Sequence, residues 1–97
     1  MIGPTPPVHP GEILREEFLV PLGLTPYAVA KRCHVPRTRI ERLTREEAPV
    51  TADTALRLGR CFRTGPEFWM NLQVLHDLAA AAQSMPEIDD IEPLAAA

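Results

Sequence analysis

The chain has 97 residues, and its 10 Lys and Arg against 13 Asp and Glu leave a net charge of −3. That length fits one domain, and with aromatics at only 5% the core has to come from Leu, Ile, Val and Ala. No run is long enough to span a membrane, and the opening MIGPTPPVHPG lacks an apolar signal core, so a cytoplasmic protein is expected.

The same composition argues against an enzyme. His9, His34 and His76 are scattered and match no metal-ligand spacing, no nucleophile sits in a recognisable setting, and no Gly-rich phosphate loop is present. Neither metal nor cofactor is predicted. Cys33 and Cys61 fall within helical patterns and read as small buried hydrophobes rather than as a disulfide.

The charge is unevenly placed. Nine of the ten basic residues lie between Lys31 and Arg63, against only Glu41, Glu46, Glu47 and Asp53. Phosphate contacts depend on local charge, so a basic middle counts for more than the acidic total.

In chain order, residues 1–9 are Pro-rich and read as an irregular arm. A first helix is predicted from Pro10 to Leu19, with Leu14 and Phe18 as an i, i+4 apolar pair. Val20-Pro21-Leu22-Gly23 should end it. Glu12, Glu16 and Glu17 make its other face acidic, either a solvated surface or a docking surface for a basic partner.

Thr25 is a good N-cap and Pro26 suits the first helical position of a second helix. Val29, Ala30 and Cys33 form its inward stripe. Pro36 pushes Val35 out of the helical region, so the chain turns at His34-Val35-Pro36. A third helix follows with Ile40 and Leu43 inward and Arg37, Thr38, Glu41, Arg42 and Arg45 on its outer face. A narrow apolar stripe with a basic outer face suits a helix that enters the major groove of DNA.

After a loop, Thr51 caps a fourth helix, with Ala55, Leu58 and Phe62 inward; Arg57, Arg60 and Arg63 share no strict face. A fifth helix starts either with a Thr64–Glu67 capping box or with Gly65 as cap and Pro66 as first residue, and runs to about Ala82. Phe68, Leu72, Leu75 and Ala79 form its apolar stripe, with Trp69 and His76 beside it. This is more apolar surface than a small core can use, and Leu75, Leu78 and Ala82 are predicted to pair with a second copy. Residues 84–97 are Pro, Ala and acids and read as a disordered tail.

The helix-turn-helix spacing resembles the lambda-repressor-like DNA-binding domains, with His34 where Gly is usual. That turn position often needs a positive φ, which His tolerates less freely than Gly. HPGEILREEFLVPLGLTPYAVAK, VTADTALRLGRCF and GPEFWMNLQ together resemble the HigA (VapI) family of bacterial antitoxins from about His9 to Gln83. The resemblance implies an all-α, five-helix fold with its helix-turn-helix at helices two and three, a homodimer, and binding to a palindromic operator.

It also implies a HigB-type toxin partner, a RelE-like mRNA endonuclease held inactive by direct binding. Carried over, Arg37, Thr38, Glu41 and Arg42 would face the operator, with Arg45 and Thr51 nearer phosphate. Toxin contacts vary within the family; the acidic trio Glu12, Glu16 and Glu17 is the candidate surface. Many relatives have an Asn-Gly turn and basic residues where this chain has Thr44-Arg45-Glu46-Glu47, and two carboxylates near phosphate oppose binding unless they pair with Arg42 or Arg45. The rival reading is a stand-alone helix-turn-helix regulator without a toxin.

Overall fold

The computed structural model describes residues 7–95, so the first six residues of the predicted arm lie outside it. Among the described residues there are five helices and no strand. Helix α1 spans residues 10–22 as three continuous segments, Pro10–Ile13, a π-helical Leu14–Leu19 and Val20–Leu22. Then come α2 (Pro26–Cys33), α3 (Arg37–Thr44), α4 (Ala52–Phe62) and α5 (Pro66–Gln83). A short 3-10 helix, Pro86–Asp90, lies in the segment read as a disordered tail, and its residues are exposed.

The start of α1 explains why His9, Pro10 and Gly11 stand together. His9 is the N-cap, its Nδ1 accepting from the Gly11 N–H at 2.9 Å. Pro10 occupies the first helical position, where a missing N–H is harmless. Gly11 lies against the end of α3: a Cβ there would sit 1.8 Å from the Leu43 carbonyl oxygen. The His9 ring also packs edge-on against His76 of α5, with centroids 4.9 Å apart.

The far end of α1 departs from expectation. The helix does not stop at Leu19; it passes through Pro21 and ends at Gly23, which is left-handed at φ 64°. In an α-helix a proline ring clashes with the carbonyl four residues back. Here the preceding turns are widened to π geometry, the Val20 N–H reaching back to the Arg15 carbonyl, and the wider turn carries Pro21 inside the helix.

The predicted apolar stripes of the first four helices meet in one core, but on α5 Phe68 and Leu75 of the expected stripe are 37% and 64% exposed and Trp69 beside them is the residue fully buried. Leu14, Val29, Ala30, Ile40, Leu43, Ala55, Leu58 and Trp69 are buried together. Phe18 packs on Phe62 and Trp69 with centroids 4.8 and 5.1 Å away, joining α1 to α4 and α5. Gly65, not Thr64, caps α5, and Pro66 is its first residue. The Thr64 hydroxyl donates to the Gly65 carbonyl instead of forming a capping box. Inside α5, the buried Gln73 accepts from the Val50 N–H at 2.6 Å and donates to Asp77 at 2.9 Å, pinning the α3–α4 loop to this helix.

Candidate nucleic-acid interface

The pair α2–α3 is held by its caps and by its neighbours. Thr25 Oγ1 accepts from the Ala28 N–H at 3.1 Å and opens α2. His34 closes it in the left-handed region at φ 59°, a conformation that His adopts less freely than Gly. Val35 N–H bonds back to the Ala30 carbonyl at 3.1 Å, and Pro36 then leads into α3.

Arg57 of α4 holds this turn from outside. Its Nη1 donates to the Cys33 carbonyl at 2.8 Å and to the His34 carbonyl at 3.3 Å, which satisfies carbonyls left open at the end of α2. Its Nε meets Asp53 at 2.9 Å, and Asp53 also pairs with Arg39 of α3. These two hydrogen bonds, Arg57 first and Arg39 second, hold the Asp53 carboxyl below its usual range. Helices α2, α3 and α4 therefore meet in one charged frame. Nothing in the local sequence pattern singles out Arg39, and Arg57, Arg60 and Arg63 share no strict face there.

The other end of α3 is tied to α1. Arg15 donates through Nη1 to the Thr44 carbonyl and through Nη2 to Glu46 at 3.3 Å, while its Nε meets Glu16 at 2.8 Å. Glu46, itself in the left-handed region at φ 62°, is thus drawn to Arg15 rather than to Arg42 or Arg45. A cation satisfies the negative end of α3 and also neutralises a carboxylate of the loop.

Between these ties the outer face of α3 stays open. Arg37, Thr38, Arg42 and Arg45 are exposed. Arg37 Nε lies 3.4 Å from the half-buried Glu41, which orients it along the helix. Arg42 Nη2 reaches the Glu47 carbonyl at 3.2 Å. Thr51 is exposed, with its hydroxyl engaged as the cap of α4 by accepting from the Thr54 N–H at 3.3 Å.

Away from this face, Leu75 and Leu78 are 64% and 51% exposed on α5, and Ala82 is half-buried. They do not pack into the core of this chain. Glu12, Glu16 and Glu17 are all exposed on α1.

Five helices around a capped turn, with an exposed basic helix beside it, are the architecture of helix-turn-helix regulators. No protein-family model matches the sequence. The chain is 49% identical over 89 residues to virulence-associated protein I of Dichelobacter nodosus, covering 92% of this chain and 82% of that protein. It is 39% identical over 72 residues to antitoxin HigA-1 of Vibrio cholerae, covering 74% and 68%. The structure matches that of Pseudomonas aeruginosa antitoxin HigA with the higBA promoter at a TM-score of 0.86 and 43% identity, covering 92% and 99%. The chain belongs to the HigA family of antitoxins. Members of this family are DNA-binding regulators, not enzymes.

Proposed function

We propose that this chain is the antitoxin of a type II toxin–antitoxin module. It binds its own operator, represses its own operon, and neutralises a HigB-type, RelE-like mRNA endonuclease by direct binding. In this reading α2 and α3 are the helix-turn-helix pair and α3 is the recognition helix. The observation that carries it is the open basic face of α3, held at both ends by Arg57 and Arg15, in a chain 43% identical to an antitoxin solved with promoter DNA.

Each assigned residue has a physical task. Arg37 donates two bonds to a guanine edge, with Glu41 setting its direction. Thr38 touches a thymine methyl or a phosphate, and Arg42 reads or positions beside it. Arg45 and the start of α4 at Thr51 lie toward phosphate. With Glu46 bound to Arg15, one of the two loop acids no longer opposes that contact.

The reading also includes a homodimer through Leu75, Leu78 and Ala82, which would set two recognition helices about 34–36 Å apart for a two-fold operator. The acidic face of Glu12, Glu16 and Glu17 is the candidate for a toxin whose own surface is basic enough to approach RNA. Both activities place the protein in the cytoplasm.

Co-expression with any small basic protein encoded beside it tests the antitoxin role. A complex that survives purification and abolishes the neighbour's mRNA cleavage is expected, weakened when Glu12, Glu16 and Glu17 are changed to Lys. No complex, with operator binding intact, would leave a stand-alone regulator.

A further inference from the structure

The function above uses neither cysteine. Cys33 ends α2 and Cys61 lies in the last turn of α4, and both line one open cleft of about 500 Å³ with Arg32, Arg57 and Arg60. Both thiols are free and both line this one cleft. Cys33 is buried, whereas Cys61 is half-buried and open to the cleft.

The cleft has a definite charge. No carboxylate lines it. Arg57 is committed to Asp53 and to the α2 carbonyls, but Arg32 and Arg60 make no ion pair among the described residues. Nor does it suit a cation: among the described residues no group of three His, Cys, Asp or Glu is placed to hold a metal ion. Two thiols lining one cleft with guanidinium groups that make no ion pair among the described residues fit a reactant that is anionic and carries sulfur.

We propose that Cys61 and Cys33 form a thiol–disulfide exchange site for a small anionic disulfide, a carboxylate-bearing molecule of the glutathione disulfide type. Arg32 and Arg60 draw in its carboxylates. Cys61 gives its proton to solvent, and the thiolate attacks one sulfur of the substrate. The substrate S–S bond breaks, a Cys61–substrate mixed disulfide forms, and the other half leaves as a thiolate that takes up a proton from solvent. Cys33 then attacks the Cys61 sulfur, the mixed disulfide breaks, and the second half leaves as a thiol with the proton that Cys33 releases. Two protein thiols become one disulfide, and one substrate disulfide becomes two thiols. Cys61 takes the first step because it is half-buried and open to the cleft, whereas Cys33 is buried, and that burial pushes the Cys33 thiol up to about 11. The bond formed joins the end of α2 to α4 beside the carbonyls that Arg57 already holds.

The test uses the whole reduced protein with glutathione disulfide and with the dication cystamine, read by mass spectrometry at low salt. Each rate is divided by that of the same chain unfolded in urea, which removes the intrinsic reactivity of the reagent. The folded protein is expected to lose two hydrogens, with the normalised rate for glutathione disulfide at least about tenfold above that for cystamine. Added salt and Arg32→Glu/Arg60→Glu should narrow that ratio. Cys33→Ala should stop at the adduct on Cys61, and Cys61→Ser should give neither product. Equal or reversed normalised rates, no internal disulfide, or an adduct on Cys33 in Cys61→Ser would overturn the proposal. The wild-type rate ratio decides the matter even if Cys33→Ala does not fold.

Discussion

Arg57 on α4 donates to the main-chain carbonyl of Cys33 at 2.8 Å, so the end of α2 is fixed by a side chain 24 residues further along the chain. Because the same guanidinium also holds Asp53, and Asp53 holds Arg39, the turn and α3 are set by one network. Arg57→Ala leaves two carbonyls without this donor and should destabilise the fold by about 1–3 kcal/mol in urea unfolding. Operator affinity should fall as well, although Arg57 is not on the open face of α3. Arg57→Lys should recover only part of both, since an ammonium lacks the planar fork. Full operator affinity in Arg57→Ala would confine the network to stability.

Gly11 is required by contact. With a Cβ only 1.8 Å from the Leu43 oxygen, Gly11→Ala must separate α1 from α3. A loss of about 1–3 kcal/mol is expected, typical of an overpacked core, measured by thermal or urea unfolding. A change no larger than that of an exposed Gly→Ala would show that the two helices separate freely.

His9 makes stability depend on pH. Burial, and then His76 beside it, hold its pKa below 6.5, with Glu46 and Asp77 opposing weakly. The unfolded chain therefore binds this proton more readily than the folded one. The contribution is complete above about 6.5 and is lost as pH falls through 6.5 toward the lower folded value. Protonation of Nδ1 would also remove the acceptor that caps α1. His9→Asn keeps a capping oxygen and does not titrate. Between about pH 7.5 and about pH 5 the unfolding midpoint of wild type should fall more steeply than that of His9→Asn. Parallel curves would remove His9 from the pH response. Asp77, held below its usual value by Gln73 and then His76, loses its contribution only at much lower pH.

Leu75 and Leu78 are more exposed than the core residues of the same helix, as a subunit interface requires. Leu78→Glu, alone or with Leu75→Glu, should give a monomer in sedimentation, with unchanged helical content and weaker binding to a two-half-site operator. A dimer that persists in the double variant would place the interface elsewhere.

What was legible in the sequence was local. Thr25, Pro26, Pro36 and Thr51 act within one turn of their own position, and each marks a helix end as read. The apolar stripes likewise identify Leu14, Ile40 and Leu58 without knowledge of their partners, whereas on α5 the stripe through Phe68 and Leu75 misses Trp69, the residue that is fully buried. Pro21 departs from expectation because the usual rule assumes an α-helix, and the π turn that accommodates it carries no obvious sequence mark. At the start of α5, Thr64 and Gly65 both had plausible capping chemistry, and only the backbone separates them. Of the candidate site, the exposed face was legible and the ties that hold it were not. Periodicity places Arg37, Thr38 and Arg42 on one face, but Arg39–Asp53 and Arg15–Glu46 are 14 and 31 residues apart, and nothing local predicts such pairs.

Operator binding by the face of α3 is the most direct test of the proposed function. DNA from upstream of the protein's own reading frame should be retarded by wild type, competed poorly by unrelated DNA, and released as salt rises. Arg37→Ala should lose about 1–3 kcal/mol of discrimination against base changes at one operator position, with its salt dependence little altered. No retardation by wild type, or an Arg37→Ala protein with the affinity and base preference of wild type, would contradict α3 as the reading helix.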